Sequence, residues 1–258
     1  MYVTTLLMRR FLPMVLFAAL LSGCGSHPPA VKEKLIVAAA ANLTNVFDEI
    51  GRAFTAKSGN EVIFSYGATA QLAKQIENGA PFDLLAAADV EHVDTLVTER
   101  KLLADSRAVY ALGQLALWIP NGEQSGIHEL KDLASKKVKF IAIAQPDLAP
   151  YGQASVEALK NAGLWDSLQS KVVYGGSISQ AKQLAGSGNA DAAFTAYSLV
   201  LKDKGTVRKI DAAQHHKIEQ SLGIVTASPR IEEAKQFRAF VLGAEGRAIL
   251  ERSGYLLP

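Results

Sequence analysis

The stretch AAAANLTNVF, Ala38 to Phe47, follows the apolar run Leu35-Ile36-Val37 and carries the decision about fold. The apolar run has the length and composition of a buried strand. Val46, Phe47, Ile50 and Phe54 then recur at i, i+1, i+4 and i+8, which is a helical stripe closing near Gly59. A strand that runs straight into a helix is half of a βαβ unit. The four alanines at the junction remove side-chain bulk where the helix begins. They serve tight packing, or they leave room for something to approach the backbone.

The same grammar continues outward. Glu61–Ser65 reads as a strand, Thr69–Asn78 as a helix with Gly79 beyond its end, Pro81–Ala86 as a strand, and Val90–Glu99 as a helix. This βαβαβα order predicts a mainly parallel sheet flanked by helices. The apolar run VYALGQLALWI, Val109 to Ile119, is long for one strand and holds Gly113 near its middle, so it reads as a crossing between two lobes. A second unit follows with strands Lys139–Ala144, Lys171–Tyr174 and Ala190–Thr195 around helices Gln153–Asn161 and Ile178–Gly186. Lys217–Ala227 reads as a strand returning to the first lobe, completed by helices Ile231–Gly243 and Gly246–Ser253. The expected division is residues 34–112 plus 224–258 for the first lobe and 113–223 for the second, with a ligand in the cleft. A single larger doubly wound domain is the alternative.

The N-terminal segment has a different character. Arg9-Arg10 precede an apolar run from Phe11 to Leu20, and Leu21-Ser22-Gly23-Cys24 follows, which reads as a secretory signal over residues 1–23. Cys24 is the one cysteine of the chain, so an intramolecular disulfide is excluded. Its setting after Leu-Ser-Gly resembles a bacterial lipobox, which implies lipidation at Cys24 and a membrane anchor, with residues 24–33 as a tether. Removing residues 1–23 lowers Lys+Arg from 27 to 25 against 25 Asp+Glu, a formal charge of zero. No basic, aromatic-interleaved patch remains, and nucleic acid is a poor candidate partner.

Helix starts carry more information than any side-chain cluster. Asn42 or Thr44 is placed to cap the first helix and Thr69 the second; Pro150-Tyr151-Gly152 leads into the third, and Ser177 and Ser179 flank Ile178 at the fourth. A helix N-terminus offers unpaired N–H groups and partial positive charge, which suits an anion. Ala38–Ala41, Gly67-Ala68 and Gly175-Gly176 lead into these starts with minimal side chains. Enzyme signatures are missing: there is no G-x-S-x-G, and GSGN at 186–189 lacks the rest of a nucleotide fingerprint. Asp83 reads as fixing a strand start and Asp89 as a helix cap rather than as a catalytic pair. No cofactor is expected.

Taken together, AAAANLTNVFDEI, YGATAQLAKQIENGAPFDLLAAAD, LAPYGQASVEAL and GNADAAFTAYS resemble, in order and spacing, the periplasmic molybdate-binding proteins of ABC transporters. The resemblance implies a two-lobe type II periplasmic-binding-protein fold. It implies molybdate or tungstate held as an oxyanion by hydrogen bonds without charged ligands, and delivery to an inner-membrane permease by a monomer. Position by position it implies ligand contacts at Ala41, Asn42, Thr69, Tyr151 and Ile178. Some family members add a tyrosine hydroxyl from the last strand. Ungapped counting puts Ala196 there, with Tyr197 one residue on; either Tyr197 shifts into place, or Tyr151 and Asn42 supply the compensating donor. The competing expectations are a sulfate or phosphate receptor, or an enzyme on the same scaffold, which would need a titratable pair in the cleft.

Overall fold

The computed structural model describes residues 34–258. The expected signal, tether and Cys24 lie outside the described residues. The run from Leu35 to Ala40 is β1, buried along almost its whole length, as a strand covered on both faces requires. It sits inside a sheet, parallel to β2 (Val62–Gly67) on one side and β3 (Leu84–Ala86) on the other. Helix α1 (Thr44–Ser58) lays Val46, Phe47, Ile50, Gly51 and Phe54 onto the core and stops at Gly59, whose φ of 69° is the left-handed cap that glycine supplies. Phe47 and Phe54 meet Phe237 edge to face at centroid distances of 6.1 and 5.2 Å. This contact draws helix α8 (Ile231–Leu242), near the C-terminus, back onto the first sheet.

The remaining elements in chain order are α2 (Thr69–Glu77), α3 (Glu91–Thr98), β4 (Ala108–Gly113), β5 (Leu115–Ile119), β6 (Ile141–Ala144), α4 (Pro150–Asn161), α5 (Trp165–Leu168), β7 (Val172–Gly175), α6 (Ile178–Gly186), β8 (Ala192–Ala196), α7 (Tyr197–Val200), β9 (Thr206–Lys209), β10 (Ile218–Ile224), α8 (Ile231–Leu242) and α9 (Ala244–Arg252). They build two five-stranded sheets of matching order, β2-β1-β3-β10-β4 and β7-β6-β8-β5-β9. The expectation of mainly parallel sheets needs one correction. Each sheet carries an antiparallel strand in its fourth place, β10 in the first and β5 in the second. Both are strands that arrive from the other sheet, and a chain entering from the opposite side must run against its neighbours.

The run at Val109–Ile119 does cross. It breaks at Gln114, with β4 in the first sheet and β5 in the second. The return crossing lies earlier than the expected division at residues 223 and 224. All of β10 belongs to the first sheet, so the chain passes back between Lys209 and Ile218. Among the described residues no helix is long and apolar enough to cross a membrane.

The parallel strands of both sheets aim their C-terminal ends at one place, where open α/β sheets hold ligands. Glycine permits the approach there. A β-carbon on Gly152 would stand 2.2 Å from the carbonyl oxygen of Ala144, and one on Gly175 would stand 2.5 Å from the amide of Ala181. Helices α4 and α6 therefore seat directly against the ends of β6 and β7. Asp83 is structural, not chemical. Its carboxylate accepts from Ile36 N at 2.7 Å and from the Ser228 hydroxyl at 2.7 Å, tying β1 to the segment before α8.

Candidate oxyanion site

After β1 the chain makes a buried three-residue turn, Ala41–Leu43, before α1 begins. The cap expected from Asn42 or Thr44 does not form. The Asn42 carboxamide turns away and donates to Gln220 Oε1 at 2.8 Å and to the Tyr255 hydroxyl at 2.9 Å. Thr44 sends its hydroxyl backward to the carbonyl of Ala41 at 2.9 Å. Thr69 does not cap either. It occupies the first position of α2, and its hydroxyl accepts from Ala88 N at 3.1 Å. With that lone pair engaged, the hydroxyl proton is left to donate elsewhere.

Three helical starts share one property. The residues in the cap position are Ala40, Ala68 and Ala149, none of which has a side chain able to claim the first-turn amides. Of the starts at this end of the sheets, α6 has the side-chain cap, Ser177, which accepts from Gln180 N at 3.3 Å and leaves the Ile178 amide untouched. The amides of Thr69, Tyr151 and Ile178 have no intrahelical acceptor by position, and no other carbonyl of the described residues takes them. This resolves the alanine run: alanine at the cap keeps the helix ends unclaimed.

These starts enclose a small cavity lined by Ala40, Ala41, Asn42, Gly67, Ala68, Thr69, Ala88, Ala149, Pro150, Tyr151 and Ile178. Its volume is about 10 Å³, the space of roughly one water-sized sphere. No charged side chain lines it. Asn42, Thr69, Tyr151 and Ile178 are each at most 3% exposed. Of the six positions named from sequence, Ala41, Asn42, Thr69, Tyr151 and Ile178 come together here. Tyr197 does not. Its ring packs where a β-carbon on Gly254 would meet it at 2.8 Å, with Lys209 Nζ 4.1 Å over its face. Tyr197 begins α7 after β8 has ended, so the residue shift that the counting required does not occur.

Beneath the cavity lies a polar layer that sequence reading missed. Gln220 accepts from Asn42 and from the Tyr110 hydroxyl, at 3.1 Å, and donates to the Tyr151 hydroxyl at 3.2 Å. Tyr255 donates to the carbonyl of Asn42 at 2.8 Å. The available signal was Gln220, a long polar residue in β10 just ahead of the apolar run LGIV at 222–225. Burial raises the Tyr110 and Tyr151 phenols well above their ordinary range and pushes Tyr255 up to about 12. All three are therefore neutral at physiological pH. Above pH 10 an unfolded tyrosine releases its proton while these keep theirs, so the native state binds more protons and stability falls as pH rises. Stability should be flat with respect to these groups below about pH 10 and then drop by about 4 kcal/mol per pH unit while all three remain protonated. Alkaline unfolding followed by circular dichroism should track the appearance of phenolate absorbance. Phenolate signal from these residues well before unfolding would contradict it.

Outside the cavity, a larger groove shares Ala88, Ala149 and Pro150 with it and is lined by Asp89, Glu91, Asp147, Glu157 and Glu219 as well as His92, His216 and Lys217. Hydrogen bonding to Asp89 raises the His92 pKa.

Comparison with known proteins agrees with this plan. Residues 35–256 match the family model for bacterial extracellular solute-binding proteins. The molybdate-binding protein ModA of Rhodobacter capsulatus is 33% identical over 229 residues, covering 88% of this chain and 90% of that protein. ModA of Azotobacter vinelandii is 34% identical over 248 residues, covering 94% and 96%. The solved periplasmic molybdate-binding protein of Azotobacter vinelandii superposes with a TM-score of 0.83 at 30% identity, covering 87% of this chain and all of that one. By sequence, by fold and by a cleft built from helix ends, the chain belongs to the bacterial extracellular solute-binding proteins.

Proposed function

We propose that this protein is the substrate-binding component of an ABC importer, and that it captures molybdate, and tungstate with it. In this reading Ala41, Asn42, Thr69, Tyr151 and Ile178 hold the oxyanion, mainly through backbone amides and the Thr69 hydroxyl. The observation that carries the reading is the cavity. Helix starts capped by alanine surround a space without a single charged side chain. The ModA proteins of Rhodobacter capsulatus and Azotobacter vinelandii, 33% and 34% identical to this chain, are molybdate-binding proteins.

The chemistry follows from the donors. A tetrahedral dianion accepts at every oxygen, and amide donors at helix ends satisfy it while the dipoles offset its charge. A protonated oxyanion such as hydrogen phosphate needs an acceptor as well, which disfavours it where donors dominate. The acid-lined groove beyond the cavity also disfavours phosphate esters, whose organic part would have to extend among carboxylates. The protein acts by binding, without catalysis, as a monomer. It is held at the extracytoplasmic face through lipid on Cys24 and passes its cargo to the membrane permease.

Calorimetry and thermal melting with an oxyanion panel test this. At about 100 times the dissociation constant, a ligand stabilises the protein by about 2.7 kcal/mol, roughly 5–10 °C for a chain of this length. Molybdate and tungstate should give that shift and sulfate and phosphate far less, with weak dependence on salt. An equal shift with sulfate would replace molybdate by a general oxyanion specificity.

A further inference from the structure

The turn Ala41–Leu43 presents one edge of its peptides to the cavity and the other to the second sheet's helices. Ser179, one residue beyond Ile178 in the first turn of α6, donates its hydroxyl to the carbonyl of Ala41 at 2.9 Å. That carbonyl belongs to the same peptide unit as the N–H of Asn42, a residue that lines the cavity. The next carbonyl, of Asn42, accepts from the Ser198 hydroxyl of α7 at 3.2 Å and from Tyr255 at 2.8 Å. The turn follows β1 of the first sheet, whereas α6 and α7 flank strands of the second. Ser179 and Ser198 therefore reach across the cleft to the carbonyl side of the peptides whose other side faces the ligand position.

We propose that Ser179 is a positioning residue that latches the closed cleft and acts on the ligand through the Ala41–Asn42 peptide. The inference rests on the oxyanion reading of the cavity. Two physical effects give the contact its role. It joins the turn after β1 to a helix of the second sheet, so parting of the two would break it and it stabilises the arrangement in which they meet. A hydrogen bond accepted at a peptide carbonyl also polarises that peptide and strengthens its N–H as a donor. Ser179 occupies a first-turn position, where its side chain is not needed to hold the helix, because Ser177 already caps α6. The effect of the latch falls on release of the ligand, since the encounter with an open cleft precedes the contact.

The test compares the parent with Ser179→Ala and Ser179→Thr. Association and dissociation rates for molybdate are read by stopped-flow fluorescence, and ligand-free shape is read by small-angle scattering. Alanine should release molybdate about 3–10 times faster, the loss expected for one hydrogen bond, with association within twofold and an unchanged ligand-free melting temperature. Threonine keeps the hydroxyl and should restore the parental rate within about twofold, whereas a purely structural lesion would not be rescued. Alanine dissociation equal to the parent's, or threonine as fast as alanine, overturns the latch. If the parent binds neither molybdate nor tungstate, the proposed function fails, and scattering alone decides the latch. A larger mean radius of gyration for the alanine variant than for the parent then supports it, and superimposable profiles overturn it.

Discussion

Replacing Ala68 by aspartate is expected to abolish oxyanion binding while leaving the ligand-free protein at least as stable as the parent. Ala68 holds the cap position of α2 with extended backbone, φ −71° and ψ 143°, and lines the cavity. Aspartate in that conformation is a preferred cap and adds about 0.5–2 kcal/mol of helix stability relative to alanine. Its carboxylate would take the first-turn amides that the ligand needs and place a negative charge beside a dianion. At a contact separation of about 4 Å and an effective dielectric of 20, that repulsion is on the order of 8 kcal/mol. Calorimetry should detect no molybdate heat, and the melting temperature should hold or rise. Ala68→Ser should fall between, since its hydroxyl competes for the amides without a charge. Parental affinity in the aspartate variant would remove the start of α2 from the site.

Proline at position 178 should fold and bind poorly. Ile178 is the first residue of α6, where the N–H lacks an intrahelical partner and proline is well tolerated. The residue before it, Ser177, has φ −151° and ψ 168°, the extended conformation that a following proline demands. The structure already uses this arrangement at Pro150 in the first turn of α4. Ile178→Pro therefore deletes one donor from the cavity at the cost of some packing from a buried side chain. Affinity for molybdate should fall by about 1–3 kcal/mol, the range for a hydrogen bond to a charged group, which is about 5- to 150-fold. Ile178→Val keeps the amide and most of the packing and should bind nearly as the parent does. Circular dichroism of the ligand-free variants separates folding from binding, and a folded proline variant with parental affinity would strike Ile178 from the ligand set.

The parts of this site that were legible from sequence are those encoded by neighbouring residues. A strand, a run without side-chain bulk and a helical stripe follow one another within Leu35–Phe54, and similar junctions bring Thr69, Tyr151 and Ile178 to the same end of the two sheets. The local rules failed where a side chain had a better distant partner. Asn42, Thr44 and Thr69 are sound caps by type. Yet Asn42 bonds residues 178 and 213 positions away, and Thr69 bonds Ala88. No window of sequence contains both members of such a pair. Burial of Tyr255 and Gln220 beneath the cavity is likewise a property of the closed tertiary fold. The antiparallel strands β5 and β10 were hidden for a related reason: strand direction depends on which sheet the chain has just left, and the composition of the strand does not record it. Tyr197 was offered on condition of a one-residue shift along the strand, and the chain instead turns helical at that residue.

The two crossings run side by side. Gly113, the last residue of β4, pairs with Ile218, the first of β10, while β5 and β9 pair in the other sheet through Ala116 and Lys209. One crossing is a single residue, Gln114, whose side-chain Nε2 donates to Gly254 O at 2.7 Å and whose main-chain carbonyl accepts from Tyr197 N at 2.9 Å. A crossing of one residue beside one of eight, 210–217, is the geometry of a hinge, which would favour swing about one axis over twist and slide. Closure about such a hinge would bring the four helix ends together along one arc. Hydrogen bonds weaken steeply once the donor angle departs from the line to its acceptor. Such a cleft, guided along a single coordinate, would gain selectivity from mechanics as well as from chemistry, because too large an ion would stop the swing before the donors are aligned and too small a one would leave them out of reach.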